Sequence, residues 1–292
     1  MPNVFPLKKT VFLKKILFTL TLLLTACAAS AQTYEQLLEQ ALRAAYADSL
    51  EQAEKLFRQA IDQNPQDYRN AMALTNLGKV QETIYLRTKD SKKADAAIES
   101  YTQAIELAPQ AVPIIAARAD FYLRLTFYDK ALKDLNTALS FNPEDADLRC
   151  RRAYAYIHLR RPDDAKADYE RVLAQDGSNY QARLGLGTLL AEQGRRNEAI
   201  EHLSRLTEGY PNSAEAFLAR AEVYAQNGQP LLAEYDYDQA VGIDPKNPEL
   251  VLARAQFYRQ QGQKGKALAD YEQAISLGVP RAALAEAIKA CK

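Results

Sequence analysis

Among its 292 residues the chain has no tryptophan, two histidines, two methionines and three cysteines, and its 37 basic residues are balanced by 37 acidic ones. Each scarcity excludes something. Without tryptophan or a deep aromatic cluster, a site that stacks on sugars or small planar ligands has little to be built from. His158 and His202 stand far apart in sequence, and no Ser or Cys is spaced beside either as a nucleophile with its base. There is no C-x-x-C, no zinc-type ligand cluster and no Gly-rich phosphate loop, so neither a metal nor a cofactor is expected. Balanced charge argues against a nucleic-acid partner. The composition therefore points away from an enzyme.

Long apolar runs are also scarce. The longest, Ile16-Leu17-Phe18-Thr19-Leu20-Thr21-Leu22-Leu23-Leu24, is far short of the ~20 residues a membrane helix needs. It follows Lys8, Lys9, Lys14 and Lys15, with no acid in the first 26 residues, and reads as an export signal. Two processing sites compete. Leu24-Thr25-Ala26-Cys27 resembles a bacterial lipobox, in which cleavage before Cys27 would leave that residue lipidated. Ala29-Ser30-Ala31 offers an ordinary signal-peptidase site after Ala31. The leader lies within residues 1–31, ending before Cys27 or after Ala31, and the protein is expected to be periplasmic or associated with the outer membrane. Cys150 and Cys291 lie about four repeats apart, too far for a bridge that needs Cα atoms within about 7 Å.

What the sequence does have is a ruler. Pro109, Pro143, Gly177, Pro211, Pro245 and Val279 are spaced 34 residues apart, and Pro65 precedes Pro109 by 44. A constant period of that size marks stacked repeats, each touching its neighbours. With the marker at position 32 the units are 34–67, 68–111 (with an insertion of ten), 112–145, 146–179, 180–213, 214–247 and 248–281. Gly194, Gly228 and Gly262 recur at position 15, where a left-handed residue would end one helix before the next. Pro162 and Pro230 follow at position 17, suited to a helix start. Each unit thus predicts a helix–turn–helix hairpin. Position 20 is Ala in all seven units, from Ala53 to Ala267, and position 24 is large, as in Phe57, Tyr101 and Tyr169. With a mostly small residue at 27, this is a small–large–small stripe on one helix face.

Ala at 20, an aromatic at 11 and 24, Ala at 27 and Pro at 32, repeated in constant phase over 34–281, resemble the tetratricopeptide repeat (TPR) family. The family's aromatic at position 4 is mostly missing, with Leu37, Ile115, Arg149, Arg183, Phe217 and Val251 in its place. The resemblance implies an all-α, right-handed superhelical solenoid, with first helices lining a concave groove and residues 282–292 forming a capping helix. It also implies groove residues: Asp120, Arg124, Arg151, Tyr154, His158, Glu222 and Arg259, beside Leu123, Cys150, Ile157, Leu184, Thr188, Glu215 and Leu218. The carboxylate clamp of some TPR domains is not expected, because Leu38 and Leu42 stand where Lys and Asn would be needed. The insertion around 85–93 reads as a basic, polar loop.

Position 7 is Arg and position 23 is Asp in the same four units, giving Arg118 with Asp134, Arg152 with Asp168, Arg220 with Asp236 and Arg254 with Asp270. In an antiparallel hairpin with its midpoint near position 14.5 these face one another, which predicts structural ion pairs. The paired acids Glu144-Asp145 and Asp163-Asp164 fall at helix starts, where they would cap and complement the dipole. Taken together, the expectation is a non-catalytic scaffold of the bacterial envelope that binds a protein or peptide in its groove. The alternative is a soluble periplasmic peptide-binding or chaperone-like module.

Overall fold

The computed structural model describes residues 32–291, so the leader, Cys27 and both processing sites lie outside the described residues. All of its regular structure is helical. The described residues divide into two compact units, with the boundary between Arg118 and Ala119.

The first unit holds α1 (Tyr34–Tyr46), α2 (Leu50–Asp62), α3 (Asn70–Thr88), α4 (Ser91–Leu107) and the first half of α5 (Val112–Arg124). Thr33 opens it with a capping box, its hydroxyl accepting from Gln36 N–H while the Gln36 side chain accepts from Thr33 N–H. Leu38 and Leu42 pack against a core of Ala41, Ala53, Phe57, Leu77 and Val80. The insertion in this unit is not a loop. It lengthens α3 and α4 to 19 and 17 residues, against 13 or 14 for the helices of the other hairpins. Only Lys89 and Asp90 interrupt them. Lys89 takes a left-handed conformation that ends α3, and Asp90 Oδ1 accepts from Lys92 N–H to start α4. The segment is rich in good helix formers, and with both caps in place the added residues propagate helix.

The second unit continues with the rest of α5, then α6 (Tyr128–Phe141), α7 (Ala146–His158), α8 (Pro162–Gln175), α9 (Tyr180–Glu192), α10 (Arg196–Gly209), α11 (Ala214–Gln226), α12 (Pro230–Ile243), α13 (Pro248–Gln260) and α14 (Lys264–Ser276). A 3-10 turn at Arg281–Leu284 and a seven-residue helix, α15 (Ala285–Cys291), follow, so the tail is two short pieces in place of one helix from residue 282. Ile288 and Cys291 of α15 are buried against the cluster containing Tyr258 and Tyr271. From α6 to α15 consecutive helices pack on one another, and α9 also touches α7 and α11 across the intervening second helices. In this unit each hairpin opens on a side-chain cap one period from the last, with Asp145, Asn179, Ser213 and Asn247 accepting from backbone N–H groups of α7, α9, α11 and α13.

The turn inside every hairpin has a left-handed residue: Asp48, Lys89, Thr126, Arg160, Gly194, Gly228 and Gly262, with φ between 58° and 78°. In six of the seven, the next N–H reaches back to the carbonyl of position 11, as in Arg161 N–H to Tyr156 O at 2.9 Å. That bond satisfies a carbonyl the helix end would leave open. Ala at position 20 is completely buried in all seven units. No larger side chain fits there without overpacking.

Two schemes of part-buried polar contact tie the helices together. In the second unit Arg152, Arg220 and Arg254 each clasp the Asp 16 residues ahead through Nε and Nη2, at 2.7–2.9 Å. The remaining Nη1 of each points back 16 residues, to Asn136, Ser204 and Asp238, on the second helix of the preceding hairpin. One guanidinium therefore ties three helices. Arg118 makes the same backward contact to Thr102 within the first unit, at 2.8 Å, and Asp134 is buried in the second. Hairpins one and two instead share a buried network in which Gln81 donates to Glu54 and accepts from Ser100, while Lys93 and Arg58 hold the Glu54 carboxylate.

Candidate functional site

A groove of about 650 Å³ opens on the second unit. Its lining repeats because the hairpins repeat. From α7 come Cys150, Arg151, Tyr154, Ile157 and His158; α9 adds Gln181, Leu184, Gly185, Thr188 and Glu192; α11 adds Glu215, Leu218, Ala219 and Glu222. Spacings of three, four and seven residues keep each set on one helix face. Leu123 of α5 and Tyr169 of α8 complete the wall.

The helices place three chemistries there. Half-buried Leu123, Ile157, Leu184 and Leu218 form an apolar floor. Beside it lies an aromatic cluster: the His158 ring stacks on Tyr128 with centroids 4.4 Å apart and planes 3° from parallel, and Tyr154 meets His158 edge-on at 4.5 Å. On the α11 side the groove is acidic. Arg151 is already engaged, its Nη1 donating to Asp120 Oδ2 at 2.9 Å. Burial raises the Asp120 carboxyl above the usual range, although Arg151 and Arg124 pull the other way. Glu215 accepts from the Tyr180 hydroxyl at 2.8 Å, and burial pushes that phenol up to about 12. Glu222 opens toward the groove, yet enough protein surrounds it that burial raises its carboxyl too.

Of the residues singled out in the sequence, Arg151, Tyr154, His158 and Glu222 line one cavity, together with Leu123, Cys150, Ile157, Leu184, Thr188, Glu215 and Leu218. Asp120 stands behind Arg151 as its ion-pair partner, and Arg124 is close enough to Asp120 to act on its charge. Arg259, on the last turn of α13, is not part of this lining. Two contributors belong to no first-helix groove position. Tyr169 comes from a second helix, and it reaches the groove because Gly185 leaves it room: a Cβ on Gly185 would stand 2.4 Å from Tyr169 Cζ. Tyr128, at the start of α6, extends the aromatic cluster from beneath His158. The sequence signal was available in Gly185, a glycine inside a helical pattern, which marks a close approach. Cys150 is buried against this wall, and burial, then Asp147 and Asp168, push its thiol up to about 12. Among the described residues no group of three or more His, Cys, Asp or Glu could hold a metal ion.

Stacked helix hairpins whose first helices share a lined face define the class: an all-α repeat solenoid built for contact with another molecule. Sequence models of the tetratricopeptide repeat match residues 38–112, 116–180, 160–223, 214–247 and 248–277, and the chain belongs to that family. No curated protein is a significant match in sequence. The crystal structure of a tetratricopeptide repeat protein from Parabacteroides merdae is similar at 27% identity and a TM-score of 0.72, covering 89% of this chain and 99% of that one. PilW, described as a type IV pilus biogenesis factor, is similar at 22% identity and a TM-score of 0.57, over 68% of this chain and 91% of its own. The pilF protein of Pseudomonas aeruginosa gives 17% and 0.58, over 78% and 97%. The last two likenesses are of fold. TPR proteins are in general non-catalytic interaction modules, and membership of the family supports a protein-interaction scaffold for this chain.

Proposed function

We propose that the chain is a non-catalytic scaffold of the bacterial cell envelope that holds a protein or peptide partner in the groove of α7, α9 and α11. The observation that carries this reading is the groove itself, where three consecutive first helices present an apolar floor between an aromatic cluster and a row of carboxylates. Such a mixture gives a peptide both an anchor and polar orientation. The envelope placement is supported by the leader, with its four lysines, its short apolar run and two cleavage sites within residues 24–31. Lipidation at Cys27 would tether the scaffold to a membrane surface, although one acylated terminus is not a spanning helix. A second reading, a soluble periplasmic peptide-binding or chaperone-like module, is favoured by Ala29-Ser30-Ala31, which would release the chain.

Co-purification from the source envelope in mild detergent tests the scaffold, with wild type run beside an Arg151→Glu, Tyr154→Ala variant. A stoichiometric partner lost in the variant supports the groove; a partner retained by the variant moves the contact elsewhere. Fractionation separates the two readings. A lipoprotein stays with membranes and becomes soluble as Cys27→Ala, whereas the second reading has wild type soluble from the start.

A further inference from the structure

The charged groups of the groove are unevenly satisfied. Arg151 is paired with Asp120, and Glu215 accepts from Tyr180. Glu222 and Glu192 have no hydrogen bond and no ion pair among the described residues. The titratable group acting most directly with Glu222 is the buried Tyr237, a neutral phenol whose ionisation burial and the Glu222 charge both oppose. Glu192 is the last residue of α9, where the helix dipole is negative and favours a cation over an anion. A carboxylate that is partly desolvated and lacks a counter-charge is a defect for the free protein, and here it sits beside an apolar floor at the open face of a cavity.

Resting on the peptide-groove reading above, we infer that the bound peptide carries a lysine or arginine whose cationic head pairs with Glu222, while an apolar neighbour lies on Leu184 and Leu218. Glu192 adds a second carboxylate on the same face and favours the same sign. An acidic segment is disfavoured, because it would bring a further anion against the carboxylates of Glu222 and Glu192, neither of which has an ion-pair partner among the described residues. The chemistry is thus opposite to that of a basic groove made to receive a carboxylate tail.

The test is selection of a random dodecapeptide display library on the full chain, with sequencing of the selected pool, in parallel on Glu222→Gln and Glu192→Gln. Circular dichroism checks that the variants keep their helicity. The expected result is enrichment of lysine and arginine over glutamine by about fivefold at one position, as for a moderately desolvated ion pair. That enrichment is lost in Glu222→Gln and reduced in Glu192→Gln. Peptides selected by wild type with no basic preference overturn the inference and leave the groove reading standing. A basic preference that survives in Glu222→Gln also overturns it. Selected peptides that bind the Arg151→Glu, Tyr154→Ala variant as well as wild type place the contact outside the groove and sink both readings, as does a library from which wild type selects nothing.

Discussion

Arg220 and Asp236 meet in a two-pronged contact, Nε to Oδ2 at 2.7 Å and Nη2 to Oδ1 at 2.9 Å, with the aspartate side chain 1% exposed. The pair joins the two helices of the hairpin 214–247, and the third donor of the same guanidinium reaches Ser204 in the hairpin before. Breaking a buried pair from one side leaves the other charge without compensation. Arg220→Met and Asp236→Leu should each destabilise by about 3 kcal/mol, and the double variant by clearly less than the sum. Urea denaturation of the four proteins gives the cycle; additive losses would show that the pair is not coupled.

Gly185 should not tolerate a methyl group. In Gly185→Ala the new Cβ would overlap the Tyr169 ring, which backs onto the apolar wall between α8 and α9. Overpacking of this kind costs about 1–3 kcal/mol, and here it also pushes the ring toward the groove. Loss of thermal stability with weakened partner binding is expected. An alanine variant as stable and as active in binding as wild type would contradict the close approach.

Arg160 carries backbone strain that glycine would relieve. Its φ is 59°, at the turn position where later hairpins have Gly194, Gly228 and Gly262. A side chain in the left-handed region costs roughly 1–2 kcal/mol, part of which glycine returns as unfolded-state entropy. Arg160→Gly should therefore stabilise by about 0.5–1 kcal/mol, and Gly194→Ala should destabilise by about 1 kcal/mol. Thermal melts that move the other way would reject this account.

Cys150 should be inert while the protein is folded. Burial holds its thiol up at about 12, so almost no thiolate forms near neutrality. Alkylation at pH 8, located by peptide mass spectrometry, should be slow in buffer and fast in urea. The folded value lies above the unfolded one, near 8.5. The unfolded chain therefore loses its proton first, and the stability contributed by the neutral thiol declines as pH rises from about 8.5 toward 12. Fast labelling of the folded chain would show that the site opens.

The parts of the fold that can be read from sequence are those fixed by single residues at a constant phase. Proline at position 32 and alanine at position 20 act locally, on a helix end and a helix crossing, so their recurrence reveals the hairpins directly. The insertion misleads because Arg87, Lys89, Asp90 and Lys92 look like a solvated loop, although two caps within four residues suffice to keep both sides helical. The groove is legible along α7, where one face of one helix supplies Cys150, Arg151, Tyr154, Ile157 and His158. Tyr169 escapes that logic because it belongs to another helix and depends on the absence of a side chain at Gly185. The isolation of Glu222 is also invisible in sequence, since it is a property of what the surrounding helices fail to supply.

The backward reach of the position-7 arginines stops at one place in the second unit. Hairpin 180–213 has Leu186 there, and no side-chain hydrogen bond joins α8 to α9 among the described residues. On either side of this seam a guanidinium links one hairpin to the next; at the seam itself α8 and α9 meet through apolar contacts, with Tyr169 against Gly185, and the hairpins are joined farther out by the Tyr210 hydroxyl, which donates to Ser178 O at 3.1 Å. Apolar surfaces can slide by fractions of an ångström at small cost, whereas a guanidinium hydrogen bond to the preceding hairpin must break. Because α9 is the middle strip of the groove, the compliant joint lies under the binding face. Any adjustment of the groove to the girth of its occupant is therefore expected at this seam, where no guanidinium fixes the register.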